Sequence, residues 1–125
     1  NKKIKYMGHL NNLNKFYNKI DLLCFPSYLN ALGRQVIEAG YYEIPSIVCI
    51  KKNSSDSFIN KVTGLSYVKP GSLKDLENSI KYFYFNQSKI NIMGKNAKKL
   101  INSNFNPKKN LKVLINIYES ALKST

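Results

Sequence analysis

Tryptophan is absent, and histidine and arginine occur once each, at His9 and Arg34. Cys24 and Cys49 are the only cysteines, too few for the disulfide framework of a small secreted domain. No apolar run approaches the roughly 20 residues that cross a bilayer, so a transmembrane protein is not expected. No charged segment leads into an apolar stretch, so no secretory signal is expected. No His/Cys group has the spacing of metal ligands, so no metal site is expected. Acids are also scarce: seven Asp and Glu face 20 Lys and Arg, a formal net charge of +13. That excess is what a nucleic-acid or anionic-membrane partner would select. Two features weigh against nucleic acid. No recognised binding motif is present, and a lone arginine is a poor basis for reading bases, where arginine is the usual residue. Lys, Asn, Ile and Tyr also share AT-rich codons, so a genome bias would raise all four together. The chain starts at Asn1 rather than Met, as a piece of a longer protein would.

What is there is ordinary for one domain: 125 residues, 43% hydrophobic and 22% charged. Such a chain can bury roughly two-thirds of its unfolded surface. Lys3–Met7 alternates and stops at Gly8, which suits a short strand. Leu13, Phe16, Tyr17 and Ile20 fall at helical spacing. The run Asp21–Phe25, closed by Pro26-Ser27, reads as a strand buried on both faces, as in a parallel sheet. Its Cys24, like Cys49 in the next strand, is then a reduced core residue. After a loop over Tyr28–Leu32 comes Gly33, a helix from Arg34 to about Glu43, and a second buried strand at Ser46–Ile50. Lys51–Ser57 is a polar loop, Phe58–Val62 a turn, Thr63-Gly64 another turn, and Leu65–Val68 a strand. Strand, helix, strand with short connections is the α/β crossover unit.

The C-terminal half is helical. Ser72, three residues before Asp75, caps a helix whose stripe is Leu73, Leu76, Ile80 and Phe83. A second helix carries Ile90, Met93, Ala97, Leu100 and Ile101. After the Asn106-Pro107 break, a third carries Leu111, Leu114, Ile115, Tyr118 and Leu122. All three stripes read as core faces. The domain organisation that follows is a sheet portion over residues 1–68 and C-terminal helices over 69–125.

One acid stands apart. Glu38 lies between Val36-Ile37 and Ala39, in a helix flanked by two buried strands, where an unsatisfied carboxylate is costly. It is either an outward helix residue or a carboxylate aimed at ligand hydroxyls. The segment before it favours a ligand. In open α/β sheets, ligands bind beyond the carboxyl ends of strands. Free amides at a helix N-terminus attract phosphate. Gly33 permits a close backbone approach, and Arg34 adds a cationic fork in the first turn.

The order of motifs is similar to that of family 4 retaining glycosyltransferases. Tyr6–Leu10 with Phe16–Asp21 resembles "strand-Gly-x-hydrophobic … Tyr-x-x-Ala-Asp", and Phe25-Pro26-Ser27 the "strand-Pro-Ser" element. Asn30–Ala39 resembles the signature of two glutamates separated by seven residues around a glycine. Gly40–Val48 resembles "Ala-x-x-Gly-x-Pro-hydrophobic-Val", Asp56 and Gly64 the "Glu-Ile-Ile … Thr-Gly-Leu" segment, and Pro70-Gly71-Ser72 the "Pro-Gly-Asp" one. The resemblance implies a Rossmann-like parallel sheet flanked by helices. This would be part of the C-terminal, donor-binding domain of the two-domain GT-B fold, without the N-terminal acceptor domain. It implies retaining transfer from a nucleotide-diphosphate sugar to a polysaccharide or lipid-linked acceptor, with no cofactor. The paired carboxylates of a glycoside hydrolase are not needed for this. Glu38 takes the position that holds the ribose hydroxyls. Asn30 stands where the first glutamate would contact the transferred sugar, an uncharged replacement at a catalytic position. Ala31, Leu32 and Gly33, with Arg34 following, match the turn that meets sugar and phosphate. His9 and Leu10 match the loop against the nucleobase. A cytoplasmic protein is expected, peripheral at the inner membrane face if the lysines around Lys95, Lys98, Lys99, Lys108, Lys109 and Lys112 meet anionic headgroups. A binding remnant without activity and, less favoured, a basic nucleic-acid-binding domain are the alternatives.

Overall fold

A computed structural model describes residues 3–124. The order of elements is α1 (Leu13–Tyr17), β1 (Leu23–Phe25), α2 (Arg34–Tyr41), β2 (Ser46–Cys49), β3 (Ser54–Ser55), β4 (Phe58–Ile59), β5 (Gly64–Tyr67), α3 (Leu73–Phe85), α4 (Gln87–Asn104) and α5 (Pro107–Lys123). Three strands form a parallel sheet in the order β1-β2-β5. Leu23 lies opposite Ser46, and Ser46 in turn opposite Gly64. This is the expected α/β fold with a parallel sheet flanked by helices.

The central strand explains the layers. All four residues of β2 are buried, and successive side chains point to opposite faces. Ile47 and Cys49 pack with Tyr67, with Phe83 of α3 and with Met93 of α4. Val48 and Ile50 pack with Val36 of α2 and with Phe58. A third cluster of Tyr17, Ala39 and Ile44 joins α1 to α2. At Gly64 an added Cβ would run into the Ser46 carbonyl oxygen and the Phe58 ring, so close approach of β5 to β2 requires glycine there.

Helix starts follow local chemistry. The Ser72 hydroxyl accepts the Asp75 N–H at 3.2 Å. The Asn106 side chain accepts from the Lys108 and Lys109 amides, with Pro107 in the first turn.

Several expectations are corrected. Lys3–Met7 is not a strand. Ile4 and Tyr6 stay exposed, so alternation alone yields no strand. Cys24 is exposed, unlike Cys49. It sits on β1, which among the described residues pairs with β2 alone, so one lateral edge of the strand stays open even though Leu22, Leu23 and Phe25 pack on the core. The polar loop and following turn contain an antiparallel pair, β3 with β4, in which Ser55 faces Phe58. Gly64 opens β5 rather than forming a turn. In α3, Leu73 is exposed and Ile80 partly so; Leu76 and Phe83 reach the core. The largest departure is α5: no residue of it is buried, and Leu111, Leu114, Ile115, Tyr118 and Leu122 are all exposed. Periodicity placed them on one face correctly, but among the described residues none of that face is buried.

Candidate functional site

The loop after β1 and the first turns of α2 separate two clefts. The first, of about 640 Å³, is lined by Gly8, His9, Leu10, Tyr17, Arg34 and Glu38, among others. The second, of about 420 Å³, is lined by Asn30, Ala31 and Leu32 on one side and by Ile50, Lys52 and Ser54–Ser57 on the other. The structure thus brings His9, Leu10, Arg34 and Glu38 together. It places Asn30, Ala31 and Leu32 in the neighbouring depression.

Glu38 is half-buried, its side chain 23% exposed. Two partners offset its burial. The Tyr17 hydroxyl donates to Oε2 at 2.9 Å, and Arg34 Nε lies 3.0 Å from Oε1. The Arg34 pair is an i, i+4 contact on α2 with the arginine side chain 85% exposed, a geometry worth only a few tenths of a kcal/mol. Tyr17 differs in kind, being only 3% exposed. Burial, and then its hydrogen bond to Glu38, push its phenol up from 10.0 to about 12. It therefore remains a donor throughout the neutral range.

In the sequence Tyr17 stood in an apolar helical stripe and as the tyrosine of the Tyr-x-x-Ala-Asp resemblance, with no site role attached. Its chemical signal was the hydroxyl: a buried tyrosine O–H needs an acceptor, and Glu38 supplies it from 21 residues away in sequence. Behind the pair, Tyr41, Tyr42, Ile101 and Phe105 line a further cavity of about 620 Å³ that also reaches Glu38.

The second cleft is built differently. Asn30 has φ 47°, the left-handed region that asparagine tolerates better than most residues. Its Oδ1 accepts the Lys51 N–H at 2.7 Å, which ties the loop to the end of β2. The uncharged replacement at this position is therefore engaged with backbone. Ser54, Ser55, Ser57, Lys52 and Asp56 complete the wall. None of these five was singled out as a site residue on chemical grounds; they come together only through the β3–β4 hairpin.

Gly33 is the N-cap of α2, with φ −86° and no side-chain capping bond. An added Cβ would sit 2.8 Å from the Phe25 ring. The close approach anticipated there is made in part by the protein's own aromatic ring. No side chain caps this end; the Val36 N–H turns to the Gly33 carbonyl at 3.1 Å, and the Arg34 and Gln35 amides ahead of it are the ones a ligand could meet.

Residues 1–100 match the family model described as glycosyl transferases group 1. The chain belongs to this family. Over all 125 residues it is 25% identical to the capsular polysaccharide biosynthesis glycosyltransferase CapM of Staphylococcus aureus, covering 33% of that protein. It also superposes on sucrose-phosphate synthase from Thermosynechococcus elongatus with a TM-score of 0.81 and 22% identity, over 90% of this chain and 28% of that one. The likeness extends the GT-B type of α/β fold to this group 1 chain. The chain spans about a third of the length of the relatives it matches. The matched residues include both clefts; α5, beginning at Pro107, lies beyond them. No described helix is long and apolar enough to cross a membrane.

Proposed function

We propose that this group 1 glycosyltransferase chain holds the nucleotide-diphosphate sugar donor across the two clefts, for retaining transfer to a polysaccharide or lipid-linked acceptor. The observation that carries the reading is the Glu38 carboxylate, held by two donors at the wall of a cleft that also contains His9, Leu10 and Arg34. An ionised carboxylate only accepts hydrogen bonds, and its two oxygens suit the two hydroxyls of a vicinal diol. The ribose is placed against Glu38 and the nucleobase against His9 and Leu10. The diphosphate lies at the uncapped start of α2, where helix amides and the Arg34 guanidinium favour an anion. The transferred sugar then falls beside Asn30, in the hydroxyl-lined cleft. The contribution of these residues to transfer is positioning and stabilisation of the leaving diphosphate.

Calorimetric titration of the protein containing this chain with UDP, GDP, ADP and their sugars tests the reading. Saturable binding of at least one is expected, and no binding of any overturns it. A second reading, nucleotide binding without turnover, is favoured by one observation: the Asn30 side-chain oxygen is already used by the Lys51 amide, and no carboxylate stands in its place. Donor binding without release of nucleoside diphosphate in the presence of acceptor glycans separates the two.

A further inference from the structure

We propose that Tyr17 is a positioning residue for Glu38, its phenol hydrogen bond fixing the carboxylate in the orientation that accepts a ribose diol. The proposal rests on the donor reading above and assigns it a second residue.

The argument is one of lone pairs and mobility. A carboxylate offers about four lone-pair sites. Tyr17 takes one on Oε2 and Arg34 one on Oε1, which leaves one on each oxygen for the two hydroxyls of a diol. The two donors are unequal as restraints. Arg34 reaches Glu38 from a long, solvent-exposed side chain of the same helix, an arrangement that holds geometry weakly. The Tyr17 ring is buried and clamped. It stacks on Tyr42 with centroids 5.2 Å apart and an interplanar angle of 12°. Phe16 meets it edge-on at 5.2 Å. Its hydroxyl is thus the fixed point to which the flexible glutamate is tied. The bond also crosses from α1 to α2. The loop carrying His9 and Leu10 leads into α1, and Glu38 and Arg34 stand on α2. The hydrogen bond therefore adds a polar tie to the apolar cluster that already joins the two walls of the first cleft.

The test is the preference for ribose over deoxyribose, a readout that a purely structural role would not move. The protein containing this chain is titrated calorimetrically with UDP, GDP and ADP and with their 2′-deoxy and 3′-deoxy counterparts. Tyr17→Phe keeps the ring stacks and removes only the O–H; circular dichroism and thermal unfolding check that the fold is retained. In this variant the ribonucleotide should bind about three- to tenfold more weakly, as the loss of one hydrogen bond predicts. The deoxy forms, which keep only one of the two hydroxyls, should lose less, so the ribo/deoxy ratio shrinks. Replacement of Tyr17 by 4-aminophenylalanine, which keeps a donor at the far end of the ring, should restore the ratio. In a Glu38→Ala background Tyr17→Phe should change nothing further. A wild type that discriminates ribose while Tyr17→Phe keeps the same ratio overturns the positioning role and leaves the donor reading intact. Equal losses for ribo and deoxy forms, or additivity with Glu38→Ala, do the same. A wild type that binds no nucleotide overturns the donor reading and this role together.

Discussion

The two clefts flanking the start of α2 share a helix and little else. On one side Glu38 is tied at both oxygens, by a buried tyrosine and by a neighbouring arginine. On the other, Asn30 is exposed, and its side-chain oxygen accepts from a backbone amide; the facing wall is a strand pair of two residues each, β3 with β4. The first is organised by packing, the second by a loop and a hairpin. Under the donor reading, the part of the ligand common to many donors meets the stiff side. The part that varies between transferases meets the adaptable side. Residues on loops can change without disturbing a core, whereas a clamped pair such as Tyr17 and Glu38 cannot.

The sharpest way to break this contrast is Phe58→Ala. Phe58 is fully buried and is the anchor by which the hairpin joins the core of Val36, Val48 and Ile50. Its truncation should cost about 3–5 kcal/mol of stability, measured by urea unfolding; a loss near zero would show that the hairpin hangs free. Next, Glu38→Ala should weaken nucleoside diphosphate binding by about 1–3 kcal/mol, read by calorimetry. Asn30→Ala should leave that affinity unchanged within about twofold, and should remove the extra affinity of the sugar nucleotide over the nucleoside diphosphate. It should also lower stability by ~1 kcal/mol, because it loses the bond to Lys51 and puts alanine in a left-handed conformation. An equal loss of nucleotide affinity in both variants would erase the division between the clefts. Smaller still, Arg34→Ala should change unfolding stability by only about 0.3–0.5 kcal/mol, as an exposed i, i+4 pair does.

A pH measurement tests the stiffness of the first cleft. The Tyr17 phenol is raised from 10.0 to about 12 by folding. The folded state therefore keeps a proton that the unfolded chain gives up. The resulting stability is fully present below pH 10 and is lost as pH rises from there through about 12. Wild type should lose stability over that window faster than Tyr17→Phe, with no difference between their slopes at neutral pH. Urea melts at stepped pH read this directly, and parallel slopes would mean that Tyr17 is not buried as described.

The central α/β unit was readable because each signal was local. The apolar run ending at Phe25, the glycine before Arg34 and the apolar run after Pro45 each announce an element within a few residues. The caps at Ser72 and Asn106 act over three residues, a range that sequence spacing captures. The β3–β4 hairpin was not readable, since two-residue strands are too short for any period and Phe58 looked like part of a turn. The α5 stripe was readable as a face, but its burial was not, because a period says which side chains align and nothing about what covers them. Cys24 failed for the same reason at a sheet edge.

For the site, the sequence alone singled out Glu38 as the acid without an obvious surface role, and the motif order carried the family. It also set the helix starts and the parallel α/β class, all consequences of short-range periodicity and capping. Only the tertiary structure brought Tyr17 to Glu38 across 21 positions, parted Asn30 from Glu38 into adjacent clefts, and left every residue of α5 exposed. Those outcomes depend on how helices and strands are packed against one another, and packing is decided by the sum of many distant contacts rather than by any residue's neighbours in the chain.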